Sequence, residues 1–268
     1  MTDFLYRDST VDATGQVIAT VGTYLIAAVA LGLVIRLAVR RRAVWPIVLI
    51  VGGTMTCLME PLFDHLYGLW FPTQGQWHLF TVYGVSEPVW LPAAYLIIYG
   101  ALAVLTVVWL QKDPSVRTVW RMYGVLVAVA MVGEIVYIQV LGVYNYQGGQ
   151  SFVVLGYPLF LGFVNAMSAV MTGIVVWRLL PLLRSPGSQL GLVMLPVLAF
   201  ALDAVGSGIF YLSVRHSPDP SSFWLHVTAI TVALGGAGTV YLLSYLVRGA
   251  DPAPAGNASE SSGVRIAS

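Results

Sequence analysis

Seven stretches of predominantly apolar residues, each about 20 residues long, are spaced along this chain of 268. Hydrocarbon about 30 Å thick is crossed by a helix of that length. The spans are read at 17–39, 44–66, 88–110, 119–142, 157–180, 189–213 and 222–247. Charged residues make up 9% of the chain, against roughly a quarter in a soluble domain. So little charge cannot coat a water-soluble globule, and the bilayer is the expected solvent. The expected fold class is therefore all-α: a polytopic bundle of about seven transmembrane helices. Its parts would be a polar extracytoplasmic segment (1–16), the seven-helix domain (17–247) and a disordered cytoplasmic tail (248–268). The tail is rich in Pro, Ser, Gly and Ala. Asn257-Ala-Ser within it matches the glycosylation pattern and is read as chance. The first 16 residues are polar and acidic, with no basic region leading into a short apolar core, so no cleavable signal is expected.

Basic residues set the expected direction. Arg40, Arg41, Arg42, Lys112, Arg117, Arg121, Arg178, Arg184 and Arg248 flank the spans on one side, and only Arg7 and Arg215 lie on the other. The positive-inside rule then places the N-terminus outside and the C-terminus in the cytoplasm. The outer connections are aromatic. The segment 67–87 reads YGLWFPTQGQWHLFTVYGVSE, and 142–151 reads GVYNYQGGQS. Two roles are open to them: an interfacial aromatic belt, or a lid folded over the outer mouth of the bundle.

Ionisable groups inside spans cost at least about 2.5 kcal/mol on insertion scales, so each needs a partner, a cavity or a function. Glu60, Glu134 and Asp203 lie deepest; Glu60 is about 9 Å from the outer end of its span at 1.5 Å per residue. Glu87 opens the third span and could instead sit as a helix N-cap neighbour, stabilised by the dipole. Asp64 and His65 follow Glu60 and could be solvated beyond the membrane. Asn165 could hydrogen-bond between helices, and His226 lies near a span end. All of these fall at or outside the expected midplane, which suggests one polar pocket open outward or sideways to lipid. Glu60, Glu134 and Asp203 are the catalytic candidates. Asp64, His65, Glu87, Asn165, His226 and Tyr137 are the substrate-binding candidates. Small residues such as Gly235, Gly236 and Gly238 could mark helix packing alone.

Several chemistries are disfavoured. Lys112 is the only lysine and lies in a loop, so a retinal Schiff base has no partner. The HExxH, P-loop and GxSxG patterns are absent. The four histidines lie near the outer surface, unlike paired haem ligands, and Asp64, His65 and His226 lack diagnostic metal spacing. Cys57 is the single cysteine, so there is no internal disulfide. A net charge of +1 argues against nucleic acid. No metal and no cofactor are expected. The expected partners are membrane lipids and a lipophilic small molecule, and the oligomeric state is left open. Carboxylates in an apolar pocket do have a natural chemistry. Burial keeps one protonated as a general acid, while another stays ionised as a base. Aromatic faces stabilise positive charge. Such a pocket suits cyclisation through an oxocarbenium or carbocation.

Two Glu-Pro pairs, in LMEPLFDHLYGLW and GVSEPVWLPAAYLIIYG, bracket the longer aromatic loop, and GYPLFLGFVNAMSAVMTG follows in the fifth span. This order, over residues 50–180, resembles the AveC-type spirocyclase family of actinobacterial membrane proteins. The resemblance implies spiroketal formation in polyketide biosynthesis. In size and span number the chain is also similar to membrane-integral terpene cyclases. A transporter or a lipid-binding membrane protein is the non-enzymatic alternative, weakened by the lack of an evident inverted repeat.

Overall fold

The computed structural model describes residues 8–248. Residues 1–7, the tail from Gly249 and the Asn257 motif lie outside the described residues.

Among the described residues there are seven helical spans: Ala13–Arg41, Trp45–Tyr67, Leu91–Lys112, Val116–Val140, Phe160–Leu179, Pro186–Ser207 and Ser222–Ser244. All are long and apolar enough to cross a bilayer. The chain is a multi-pass membrane protein with an all-α bundle. Large aliphatic side chains such as Leu25, Val29, Val132, Leu234 and Leu242 stand exposed on its outer surface. Water would not tolerate this surface, but lipid does, because lipid tails are as apolar as the side chains.

The span ends follow local chemistry. The first span starts at Ala13, earlier than expected, because the Asp12 side chain accepts from Gly15 N at 2.5 Å and caps it. It closes at Arg42 in the left-handed conformation (φ 50°), whose N–H reaches back to the Ala38 and Val39 carbonyls. Ser115 caps the fourth span, and Ser185 with Ser188 forms a capping box at the sixth. The third span starts at Leu91 rather than at Pro88, with Pro92 in its first turn. The sixth ends at Ser207 and resumes after Gly208 as a short helix, Ile209–Arg215.

Bundle packing depends on close backbone approach. The second and third spans meet where a side chain on Gly53 would run into the Gly100 backbone. Gly236 meets the Phe163 carbonyl and Gly235 lies beside Ser207, so both serve helix packing. Gly238 faces open space, so the packing expectation does not extend to it. The fifth span is the most enclosed of the seven and the fourth and first are among the least.

The connections at one end of the bundle carry the basic residues, and those at the other end form three small antiparallel ladders. In chain order the strands are β1 (Leu69–Trp70), β2 (His78–Val82), β3 (Val85–Pro88), β4 (Asn145–Tyr146), β5 (Val153–Val154) and β6 (Tyr157–Pro158). β2 pairs with β3 and β5 with β6 as local hairpins. The pairing that matters most is β1 with β4, Leu69 opposite Tyr146 and Trp70 opposite Asn145. It joins the two aromatic loops into one cap. Gln147 N donates to Gly68 O at 2.7 Å, and Arg215 clamps the Gly148 and Gln147 carbonyls at 2.7 and 2.8 Å. The N-terminal strap adds Val11 N to Gln74 O at 3.0 Å and Trp77 N to the Gln16 side chain at 2.6 Å. The joined loops fold over this end of the bundle, as the lid role expects.

Candidate functional site

Under the cap lies a cavity of about 340 Å³. Its roof is aromatic: Phe71 and Trp90 from the first loop, Tyr144 and Tyr146 from the second. Phe71 meets Tyr144 edge-on with centroids 5.6 Å apart, and Trp90 lies 5.0 Å from Tyr137. Tyr95, Tyr99 and Phe200 form one wall, with Tyr99 and Phe200 at 5.2 Å. Leu102, Leu126, Ala166 and Ala169 lie toward the basic end. There they join the packed cluster that holds Leu110, Met122, Met167 and Val170.

Polar groups enter this apolar chamber at few points. Glu60 sits where the second span breaks. A 3₁₀ turn, Thr56–Met59, ends there and the helix restarts as Glu60–Tyr67. Pro61 explains the break, because it has no N–H to give and its ring crowds the carbonyl four residues back. Glu60 Oε2 accepts a hydrogen bond from the Tyr95 hydroxyl. Across the chamber, Glu134 Oε2 accepts from the Tyr144 hydroxyl at 2.7 Å. Asn165 lines the wall with its side-chain oxygen buried and unpartnered. Tyr137 lines it too and shares a hydrogen bond with Thr23 of the first span. Buried polar atoms are normally paired, so an orphaned acceptor in a cavity wall is suited to a ligand donor.

Two π turns shape the same wall. Leu96–Ala101 in the third span carries Ile97, Ile98 and Tyr99, and Val136–Val140 in the fourth carries Tyr137. Single π turns inside α-helices recur at functional sites. A third, Leu202–Ser207, carries Asp203.

The expectation of one shared pocket holds for Glu60, Glu134, Asn165 and Tyr137, and needs correction for the other residues. Asp203 is fully buried but stands outside the cavity wall, taking a 2.5 Å hydrogen bond from Ser168. Asp64 and Glu87 are fully buried behind Glu60, and the side-chain oxygens of both lack a hydrogen-bond partner. Glu87 is not a helix-cap neighbour: β3 carries it opposite Phe80. Burial pushes its carboxyl up from the usual range, to about 8. His65 is exposed beside Tyr83, and His226 is exposed, bonded to the Ser222 carbonyl and edge-on to Phe152. Neither histidine lines the cavity, because each points off the outer side of its helix. The nearby basic side chains are engaged elsewhere, Arg215 on loop carbonyls and His216 on the Leu66 carbonyl at 2.8 Å.

Tyr95, Tyr144, Thr23 and the roof aromatics were not singled out from the sequence. The signal available for them was the density of Tyr and Trp in the two outer loops and in VWLPAAYLIIYG. Hydropathy reads those rings only as apolar bulk. Among the described residues no group of three or more His, Cys, Asp or Glu has metal-holding geometry. Comparison with protein-family models, with curated proteins and with solved structures returns no match for this chain.

Proposed function

We propose that this protein is a membrane-integral, cofactor-free cyclase that closes rings in a lipophilic natural-product intermediate, with spiroketal formation on a polyketide as its reaction. One observation carries the reading: two carboxyl groups, each bonded to a tyrosine hydroxyl, face one aromatic chamber buried in the membrane domain. The resemblance to AveC-type spirocyclases over residues 50–180 supports the same reading.

The chemistry balances without a co-reactant. One carboxylic acid protonates a ketone oxygen. A substrate hydroxyl attacks the carbonyl carbon and gives its proton to the second carboxylate, forming a hemiketal. Protonation of the hemiketal oxygen releases water and leaves an oxocarbenium ion. A second hydroxyl then adds to that carbon and returns a proton to the carboxylate. The sum is a dihydroxyketone converted to a spiroketal plus water. Glu60 and Glu134 share the acid and base roles. Asn165 accepts from a substrate hydroxyl and orients it. The faces of Tyr95, Tyr99 and Trp90 stabilise the cation. The apolar floor favours a closed chamber over a transport path. A terpene cyclase would use the same acid to protonate an alkene, and the product distinguishes the two.

Deleting the gene and comparing metabolites with the parent strain tests the reading. The expected result is loss of a cyclic product and build-up of its open-chain dihydroxyketone. An unchanged profile inside cells with the mature product trapped there would instead support transport. In the same reading the basic end of the bundle faces the cytoplasm. A cysteine at Gln74 should react with a membrane-impermeant maleimide on intact cells, and one next to Ser185 should not. The reverse pattern would invert the bundle.

A further inference from the structure

We infer that the cavity is loaded sideways from the bilayer, through a slot between the first and fourth spans, and that Gly133 sets the width of the chain that passes. The inference rests on the cavity being a substrate chamber, but not on cyclisation as its chemistry.

The slot is visible in side chains that belong to two surfaces at once. Ile26 and Val129 line the cavity, yet they are 59% and 52% exposed on the outside of the bundle. A residue can be both only where the wall is open. Ile26 stands on the first span and Val129 on the fourth, so the opening lies between those helices. Ala130 and Gly133 continue the fourth-span edge. A side chain added at Gly133 would meet no atom within 4 Å, so the space beside it is empty.

The side-chain hydrogen bonds that tie the first span to the rest of the bundle lie near its two ends and not at the slot. Near the cap, Thr23 bonds Tyr137, and Tyr24 donates to the Val89 carbonyl at 2.9 Å. At the basic end Arg41 bonds Gln111. Ile26 follows the cap-end ties by two residues, on the face of the span turned away from its packed side at Ala27 and Val34. The edges of the slot are wholly apolar, so a hydrated polar molecule would lose its water with no hydrogen bond in return. A molecule already dissolved in lipid loses nothing. The ligand class is therefore an amphiphile with a flexible hydrocarbon chain. The chain would occupy the slot, and its oxygenated end would reach Glu60, Glu134 and Asn165.

The test uses the full chain in lipid vesicles and a long-chain fatty acid bearing a photoactivatable diazirine, with labelled sites mapped by mass spectrometry. The wild type should label at cavity residues of the third and fourth spans and also at outward residues such as Leu234 and Leu242. Gly133→Ala should label as the wild type does, because one methyl group meets nothing. Gly133→Phe should lose cavity labelling and keep the outward labelling, which also reports that the bundle is intact. If Gly133→Phe does not fold, Ile26→Trp narrows the same slot from the opposite edge and should give the same selective loss. A wild-type cavity that never labels, or undiminished cavity labelling in the narrowed variant, would overturn the inference. Selective labelling alongside an unchanged metabolite profile in the deletion strain would leave the slot standing and remove the cyclase reading.

Discussion

Glu60→Gln is expected to lower turnover by about 10²-fold or more, the usual size of a general acid–base contribution. The amount of folded protein should change little. The substitution keeps the side-chain volume, and the amide oxygen can still accept from the Tyr95 hydroxyl. Only the transferable proton and the charge are lost. Glu60→Ala should behave differently, because it strands the Tyr95 hydroxyl and a buried carboxyl, at about 1–3 kcal/mol for an unsatisfied group. Glu134→Gln should mirror Glu60→Gln, since Glu134 faces the same chamber. Asp203→Asn should keep near-normal turnover per folded molecule, because Asp203 does not reach the cavity wall. The measurement is turnover normalised to folded protein in detergent or vesicles. Near-normal values for both glutamine variants would end the acid–base reading and favour a binding role.

A second large effect is expected on stability against pH, and Glu87 carries it. Its carboxyl is fully buried in the cap, and burial raises it from 4.5 to about 8. The folded state therefore holds a proton that the unfolded chain releases near 4.5. Where the folded state binds more protons, stability falls as pH rises. The contribution is fully present below about 4.5, drains away between there and about 8, and is gone above that. Each pH unit across that window is worth up to about 1.4 kcal/mol. Thermal unfolding in detergent should therefore show a midpoint that declines from pH 5 to pH 8.5. Glu87→Gln, which is neutral at every pH, should flatten that decline. An equal slope in the variant would show that Glu87 ionises freely in the folded cap.

The Glu87 environment also shows where reading the chain ran short. Hydropathy placed Pro88 at the head of the third span, because VSEPVWLP is apolar enough to pass for a helix start. The β2–β3 hairpin claims it instead, and the helix waits for Leu91. The same happened at Tyr157 and Pro158, which form β6 ahead of the fifth span. Averages over about 19 residues cannot separate aromatic strands at a membrane surface from the helix they lead into. Conversely, depth alone singled out Glu60, since a carboxylate that far inside a span must have a partner or a cavity, and Glu60 lines the cavity.

What the sequence determined by itself is the solvent, the seven spans and the shortlist of costly polar groups. Each follows from a rule that acts locally. Backbone groups in hydrocarbon must be satisfied within their own segment, which leaves a helix as the form of an apolar segment of about 20 residues. Which of those groups share a cavity was decided only by the tertiary structure. Glu60, Glu134 and Asn165 line one cavity because Pro61 breaks the second span at Glu60, the fourth and fifth spans turn Glu134 and Asn165 to the same side, and the β1–β4 ladder draws the aromatic loops over them. Asp203, the deepest of the carboxylates by counting, accepts from Ser168 outside the cavity wall. Depth along a helix axis is linear in sequence, but the direction a side chain faces is not. A single π turn changes that direction without changing the composition of the span, so nothing in a residue count records it.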